Sequence, residues 1–211
     1  MAVVRNWPRD CDYEKWPLFP PLIYVALGVS RSFAGLPHHI TYLLDKPITI
    51  ANQVQKTVSV TIYSYDPTLA PAGKTVMIAM LVSEYDYWKK LREGNLARYK
   101  EEKEKIADQI IAFLESRFPG LRAQVEMRDV ATPVTWERYT ANWRGSYEGW
   151  LITTKNFMKS ISKELPGLKN FYMVGQWVEP GGGVPPAALS GRNVIQIICK
   201  RDKKRFVTTK P

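Results

Sequence analysis

GQWVEPGGGVPPAALSGR, residues 175–192, sets flexible residues directly against rigid ones. Pro180 precedes Gly181, Gly182 and Gly183, and Pro185 and Pro186 follow almost at once. Upstream, NFYMVG (170–175) reads as a short apolar strand; downstream, the spacing predicts a helix from about Val184 to Cys199. The three glycines permit positive φ and a close approach of backbone to ligand. Pro185 and Pro186 suit a first helical turn, where amide protons have no partner. The remaining amides, such as those of Ala187 and Ala188, are expected to face an electron-rich ligand edge, which the helix dipole favours. Small residues Ala187, Ala188, Ser190 and Gly191 keep one helix face thin enough to pack on something flat. A glycine loop that merely turns a corner has the same composition, so three glycines alone do not decide between the two readings.

Working outward, LIYVALGVS (22–30) is a continuous apolar run bounded by proline and Gly28, which predicts a buried strand. HHITYLL (38–44) is β-rich. In KTVSVTIYSY (56–65), Val58, Val60 and Ile62 alternate with Thr57, Ser59 and Thr61. That strand is expected to pair with KTVMIAMLV (74–82) through the turn residues of DPTLAPAGK (66–74). A short helix near 84–92 then precedes a longer one from Asn95 to Phe118. Its apolar stripe is Leu96, Tyr99, Ile106, Ile110, Phe113, Leu114 and Phe118, with KEEKEK (100–105) as a solvated face. Pro119-Gly120 stops it, and a strand is expected over 122–131. Strands, then helices, then a final strand and helix suggest an α+β fold with a mostly antiparallel or mixed sheet.

The 211 residues are enough for one large domain or two small ones, burying roughly 70% of the unfolded surface. Cys11 and Cys199 give neither a disulfide framework nor metal-ligand spacing, and a reducing, cytoplasmic setting fits. MAVVRNWPRD lacks the apolar core of a signal peptide, and no stretch reads as a membrane span. The first twenty residues, with Trp7, Pro8, Trp16, Pro17 and Pro20, read as an irregular lead-in. Formal charge is +10, concentrated in a tail holding Lys200, Arg201, Lys203, Lys204, Arg205 and Lys210 against Asp202. Such a tail is either a solvated terminus or a contact with an anionic membrane surface. Nucleic acid is not expected: no recognition motif is visible, and no aromatics interleave with a basic stripe.

VGQWVEPGGGVPPAALSGR resembles the C-terminal flavin-binding signature of the phytoene desaturase-like flavoproteins, within the amine oxidase and carotenoid desaturase group. GLPHHITY (35–42), DPTLAPAGK (66–74), FPGL (118–121) and ATPVTWERYTANWRGSYEGW (131–150) agree, so the resemblance runs from about residue 20 to 198. It implies FAD as cofactor and hydride transfer with a lipophilic isoprenoid or polyene. It implies a substrate-binding-domain-like region over 1–165, a C-terminal FAD-binding segment over 166–199 and a basic tail over 200–211. Gly175 and Gln176 would lie near the ribityl and phosphate portion; family members often carry an acid where Gln176 stands. Gly181, Gly182, Gly183 and Pro185 would pass beside the isoalloxazine ring, with the amides of Ala187 and Ala188 at its N1–C2 edge. The family's N-terminal G-x-G-x-x-G unit, which grips the ADP half, has no counterpart in these residues. The expectation is therefore a C-terminal part or subunit completed by a separate N-terminal dinucleotide-binding partner. The alternative is a non-enzymatic module for an apolar ligand or a membrane surface. Self-association into a homo-oligomer is expected in either case, through the apolar face the other half would cover.

Of the remaining residues, His38 and His39 sit next to each other on a strand and face opposite sides, so no shared metal is expected. No catalytic residue is assigned. Trp136, Tyr139, Trp143, Tyr147 and Trp150 fit either core packing or a substrate wall, Tyr139, Trp143 and Tyr147 being the wall candidates, with Gly145 and Gly149 letting it bend. Arg138 and Arg144 are read as polar partners of flavin or as solvated.

Overall fold

A computed structural model of the chain describes residues 16–157, 161–165 and 167–208. Trp7, Pro8, Cys11 and Lys210 lie outside them. The described residues gather into two compact units, one drawn from Pro20–Ser146 and the other from Met1–Phe19 plus Tyr147–Pro211. The boundary at 146/147 falls upstream of the 165/166 partition expected on functional grounds.

In the first unit, β1 (Leu22–Val29), β2 (His39–Ile50), β3 (Gln53–Tyr63), β4 (Thr75–Val82) and β5 (Val125–Ala131) form one sheet of order β2-β3-β4-β1-β5. Every neighbouring pair is antiparallel, so the sheet is antiparallel and not mixed. The α+β class holds. The continuous apolar run of β1 does not make a strand buried on both faces: its burial alternates, with Ile23, Val25, Leu27 and Val29 inward. Val58, Val60 and Ile62 of β3 point the same way, as their alternation predicted, beside Met77, Ala79 and Leu81 of β4. That buried face is one core with the inward residues of α2 (Leu96–Arg117), which follows α1 (Tyr85–Gly94). Tyr99, Ile106, Ile110 and Leu114 of the predicted stripe are buried; Leu96, at the helix start, is exposed. Asn95 caps α2, its side chain accepting the amide of Arg98 at 2.9 Å.

Two local features depart from expectation. β2 runs past Leu44 to Ile50, with an irregular register between Leu43 and Ile48. Pro47 sits there, and it is tolerated because β2 is an edge strand, where a missing amide breaks no inner ladder. Ala51 and Asn52, at φ 47° and 61°, close a two-residue hairpin into β3. Second, residues 121–124 form a short helix, α3 (Leu121–Gln124), in place of the start of the strand expected from 122. The cause is Glu115: its carboxylate accepts the amides of Gly120 and Arg122, both at 2.7 Å, after the Pro119-Gly120 stop, and coils the chain before β5. α4 (Pro133–Thr140) follows, opened by a capping box between Thr132 and Thr135.

The second unit is built on tryptophan. Trp16, Trp150, Ile161 and Val178 form its buried core, with Trp177 against them. Trp150 meets Trp16 edge-on at 6.1 Å and Trp177 at 5.1 Å, and its indole donates to the Trp177 carbonyl at 3.1 Å. Residues 17–19 pair with 149–151 through the Phe19 amide to the Gly149 carbonyl and the Leu151 amide to the Pro17 carbonyl. Trp16, expected in an irregular lead-in, is thus part of this core, and the exposed Pro17 pairs beside it through its carbonyl. NFYMVG is not a strand: among the described residues it makes only the isolated bridge Glu164–Tyr172. An apolar run needs a partner strand to become one, and among the described residues it has only that bridge. α5 (Val184–Arg201) follows the glycines, two residues longer than predicted.

Candidate functional site

The glycine segment requires its glycines. Gly175, Gly181, Gly182 and Gly183 stand at φ 107°, 127°, 71° and 85°, the left-handed region that residues with a Cβ rarely occupy. Gly182 is also sterically fixed: a Cβ there would come within 2.6 Å of the Glu148 Cβ and 2.7 Å of its Cδ. At Gly181 a Cβ would stand 3.2 Å from the Ile152 side chain. The loop therefore lies against residues 148–152. In contrast, nothing stands within 4 Å of where a Gly175 Cβ would be, which leaves that backbone open to an approaching group.

Ser190 holds the two ends of the segment together. Fully buried, it accepts the Gly175 amide at 2.7 Å and donates to the Ala187 carbonyl at 2.5 Å. The Gly175 carbonyl in turn accepts the amides of Val178 and Glu179, so 175–179 is a tight turn and not a strand end. Glu179 pairs with Lys163 at 2.7 Å, the lysine side chain being only 12% exposed, and Asn193 of α5 donates to the same carboxylate at 3.4 Å. Gln176 lies under Gly149, where a Cβ would stand 3.2 Å from the Gln176 carbonyl oxygen. The sequence reading missed Ser190 in this role, and it missed Glu148 and the Lys163–Glu179 pair. Ser190 carried a signal, a lone hydroxyl in a small-residue helix face; the others carried none locally.

One expectation about α5 changes. The helix begins at Val184, before the prolines, with Gly183 as its N-cap. Ala187 and Ala188 stand fourth and fifth in it, where amides already donate to carbonyls one turn back. With Pro185 and Pro186 lacking donors, the unpaired amides of this terminus belong to Gly183 and Val184.

The wall candidates fall in both units: Tyr139 and Trp143 in the first, Tyr147 in the second. All three are exposed, Tyr139 by 73%. Trp150 is core, and Trp136 packs edge-on against Tyr24 at 4.8 Å while donating to the Leu22 carbonyl at 3.0 Å. Arg138 stacks on Tyr139 and donates to its hydroxyl at 2.7 Å. Arg144 bonds Asp86 at 2.5 Å and lies over the Tyr85 ring. Tyr85 donates to Glu137; burial first, then that carboxylate, pushes its pKa up to about 12, so it stays a donor at any physiological pH. His38 bonds the Ile62 carbonyl and His39 the Thr61 hydroxyl, and no group of three or more metal-ligating side chains gathers among the described residues.

The segment thus combines four positive-φ glycines, an open backbone face at Gly175 and the start of α5 at Val184. The match to the flavin-containing amine oxidoreductases covers residues 14–199, and the chain belongs to that family, whose cofactor is FAD. The chain is also similar to individual proteins over part of their length. It is 35% identical to 4,4'-diaponeurosporene oxygenase of Staphylococcus aureus (strain MW2), over 84% of this chain and 37% of that protein. It is 33% identical to the chloroplastic prolycopene isomerase 2 of an Oncidium hybrid cultivar, over 60% of this chain and 21% of that protein. With 4,4'-diapophytoene desaturase (4,4'-diapolycopene-forming) of Methylomonas sp it shares 23% over 94% of the chain and 39% of that protein. The chain thus spans about one fifth to two fifths of the relatives it matches.

Proposed function

We propose that this chain supplies the substrate-side sheet and the isoalloxazine-side loop of an FAD-dependent oxidoreductase that moves hydride between flavin and a lipophilic isoprenoid or polyene. The observation that carries this is the loop Gly175–Gly183, positive in φ at its glycines and tied by Ser190 to α5. FAD, when bound, supplies the hydride chemistry itself. The chain's own residues do three things. Gly175 and Gln176 offer backbone to the ribityl and phosphate portion. Gly181, Gly182 and Gly183 let the ring approach without side chains intervening. The amides of Gly183 and Val184, aided by the α5 dipole, stabilise negative charge on the ring edge. Exposed Tyr139 and Trp143 of the first unit, and separately Tyr147 of the second, are candidates for apolar contact with the substrate.

The dinucleotide grip comes from outside these residues, either on the same polypeptide or on a separate subunit. Co-expression with a G-x-G-x-x-G flavoprotein half, followed by anaerobic reduction of the flavin by a polyene substrate, tests this. Full turnover by these 211 residues without any such half would overturn it. The second reading, a non-enzymatic apolar-ligand or membrane-surface module, is favoured by one feature, the basic end of α5.

A further inference from the structure

A carboxylate rests against the glycine loop. The Cδ of Glu148 stands 2.7 Å from where a Cβ on Gly182 would be, with Oε2 nearer still, and Oε1 stands 3.9 Å from the Cβ position of Gly183. The side chain is half-buried. It is a whole negative charge, and among the described residues no lysine or arginine forms an ion pair with it. Glu179, the other acid beside this segment, is answered by Lys163 at 2.7 Å. The first turn of α5 carries no acid of its own. The missing side chains at 182 and 183 therefore do more than thin the loop: they let an uncompensated charge sit directly on its backbone.

That charge works against the helix start. A helix N-terminus carries about half a positive charge and favours a negatively charged ligand. Glu148 contributes a full charge of the opposite sign, partly screened by solvent, and subtracts from that preference. A neutral ring meets little of this penalty, and a ring bearing negative charge meets all of it. We propose that Glu148 is a specificity-determining residue of the loop: it weights binding toward the neutral, oxidised flavin and against the reduced anion. By linkage, the same weighting lowers the potential at which the bound flavin accepts electrons. The inference rests on the reading that this loop faces the isoalloxazine ring. A merely structural role, a carboxylate answering the α5 dipole, changes stability and leaves the ratio of the two affinities alone.

The test is an anaerobic titration of the full chain with oxidised FMN and with reduced FMN, at a pH where the reduced ring is anionic, read by tryptophan fluorescence. Glu148→Gln should raise the affinity for reduced FMN relative to oxidised FMN by about tenfold. Glu148→Asp, which keeps the charge, should leave that ratio within about threefold of wild type. Glu148→Gly, which also relieves the overlap beneath Gly182, gives the same reading where the glutamine variant does not fold. Flavin bound by the wild type, with an unchanged ratio in a folded variant lacking the charge, overturns this inference and leaves the flavin reading standing. A ratio that moves as far in Glu148→Asp as in Glu148→Gln overturns it as well, because charge is then not the cause. A wild-type chain that binds neither form of FMN overturns the flavin reading, and this inference falls with it.

Discussion

Gly182→Ala is the most informative single change in the glycine loop. Two costs are read from the structure. An alanine at φ 71° is strained by roughly 1–2 kcal/mol, because its Cβ crowds the following carbonyl. Its Cβ would also stand 2.6 Å from the Glu148 Cβ, an overlap that pushing aside the carboxylate end alone cannot relieve. Overpacking of that kind costs about 1–3 kcal/mol. The total is about 2–5 kcal/mol, measured as loss of unfolding free energy in urea with tryptophan fluorescence, which Trp16, Trp150 and Trp177 give this unit. The two terms separate in a double-mutant cycle. On a Glu148→Gly background the overlap is gone and only the φ strain remains, so the coupling should be about 1–3 kcal/mol. Additivity within about 0.5 kcal/mol would refute the claim that residues 148 and 182 press on each other. A Gly182→Ala chain as stable as wild type would refute the whole argument for the loop.

Ser190→Ala removes the bond that holds Gly175 to α5, together with the serine's bond to the Ala187 carbonyl, and leaves the Gly175 amide without its acceptor; the expected loss is about 1–3 kcal/mol, checked by urea unfolding. Glu115→Ala should destabilise the first unit in a pH-dependent way. The amides of Arg122 and Gly120, in that order, hold the Glu115 carboxyl below its ordinary 4.5. A depressed carboxylate contributes stability that is fully present above its unfolded value and is lost as pH falls through its folded value. The gap in thermal midpoint between wild type and Glu115→Ala should therefore be widest near neutrality and close on acidification below about 4.5. A gap that widens in acid would contradict the amide-capture account.

How far the sequence alone leads depends on whether the controlling contact is local. The alternation of Val58, Val60 and Ile62 is a period-two signal that needs no partner to be legible, and β3 lies where it points. The same holds for the α2 stripe and its Pro119-Gly120 stop. The Ala51-Asn52 hairpin was hidden because its turn contains no glycine; an alanine and an asparagine take positive φ there between the two strands. Residues 122–124 read as strand because Glu115, which coils them, acts from several positions away. NFYMVG has strand composition without a neighbouring strand, and composition alone cannot supply one. In the candidate site the glycines were legible, since residues with a Cβ rarely take such φ angles. What they press against, Glu148 and Ile152, follows only from the folded chain. The start of α5 at Val184 was legible as well, because two prolines suit a first helical turn.

The central claim is that this chain holds the isoalloxazine end of FAD. The direct measurement is a titration of flavin fluorescence and visible absorption with the purified chain, using FAD and FMN in parallel, with ADP as competitor. The account predicts quenching and a shifted visible band with both flavins, undisturbed by ADP and weakened by replacement of Gly175, at whose open face the ribityl portion is proposed to lie. Spectra unchanged with either flavin, or a FAD signal that ADP abolishes, would contradict it.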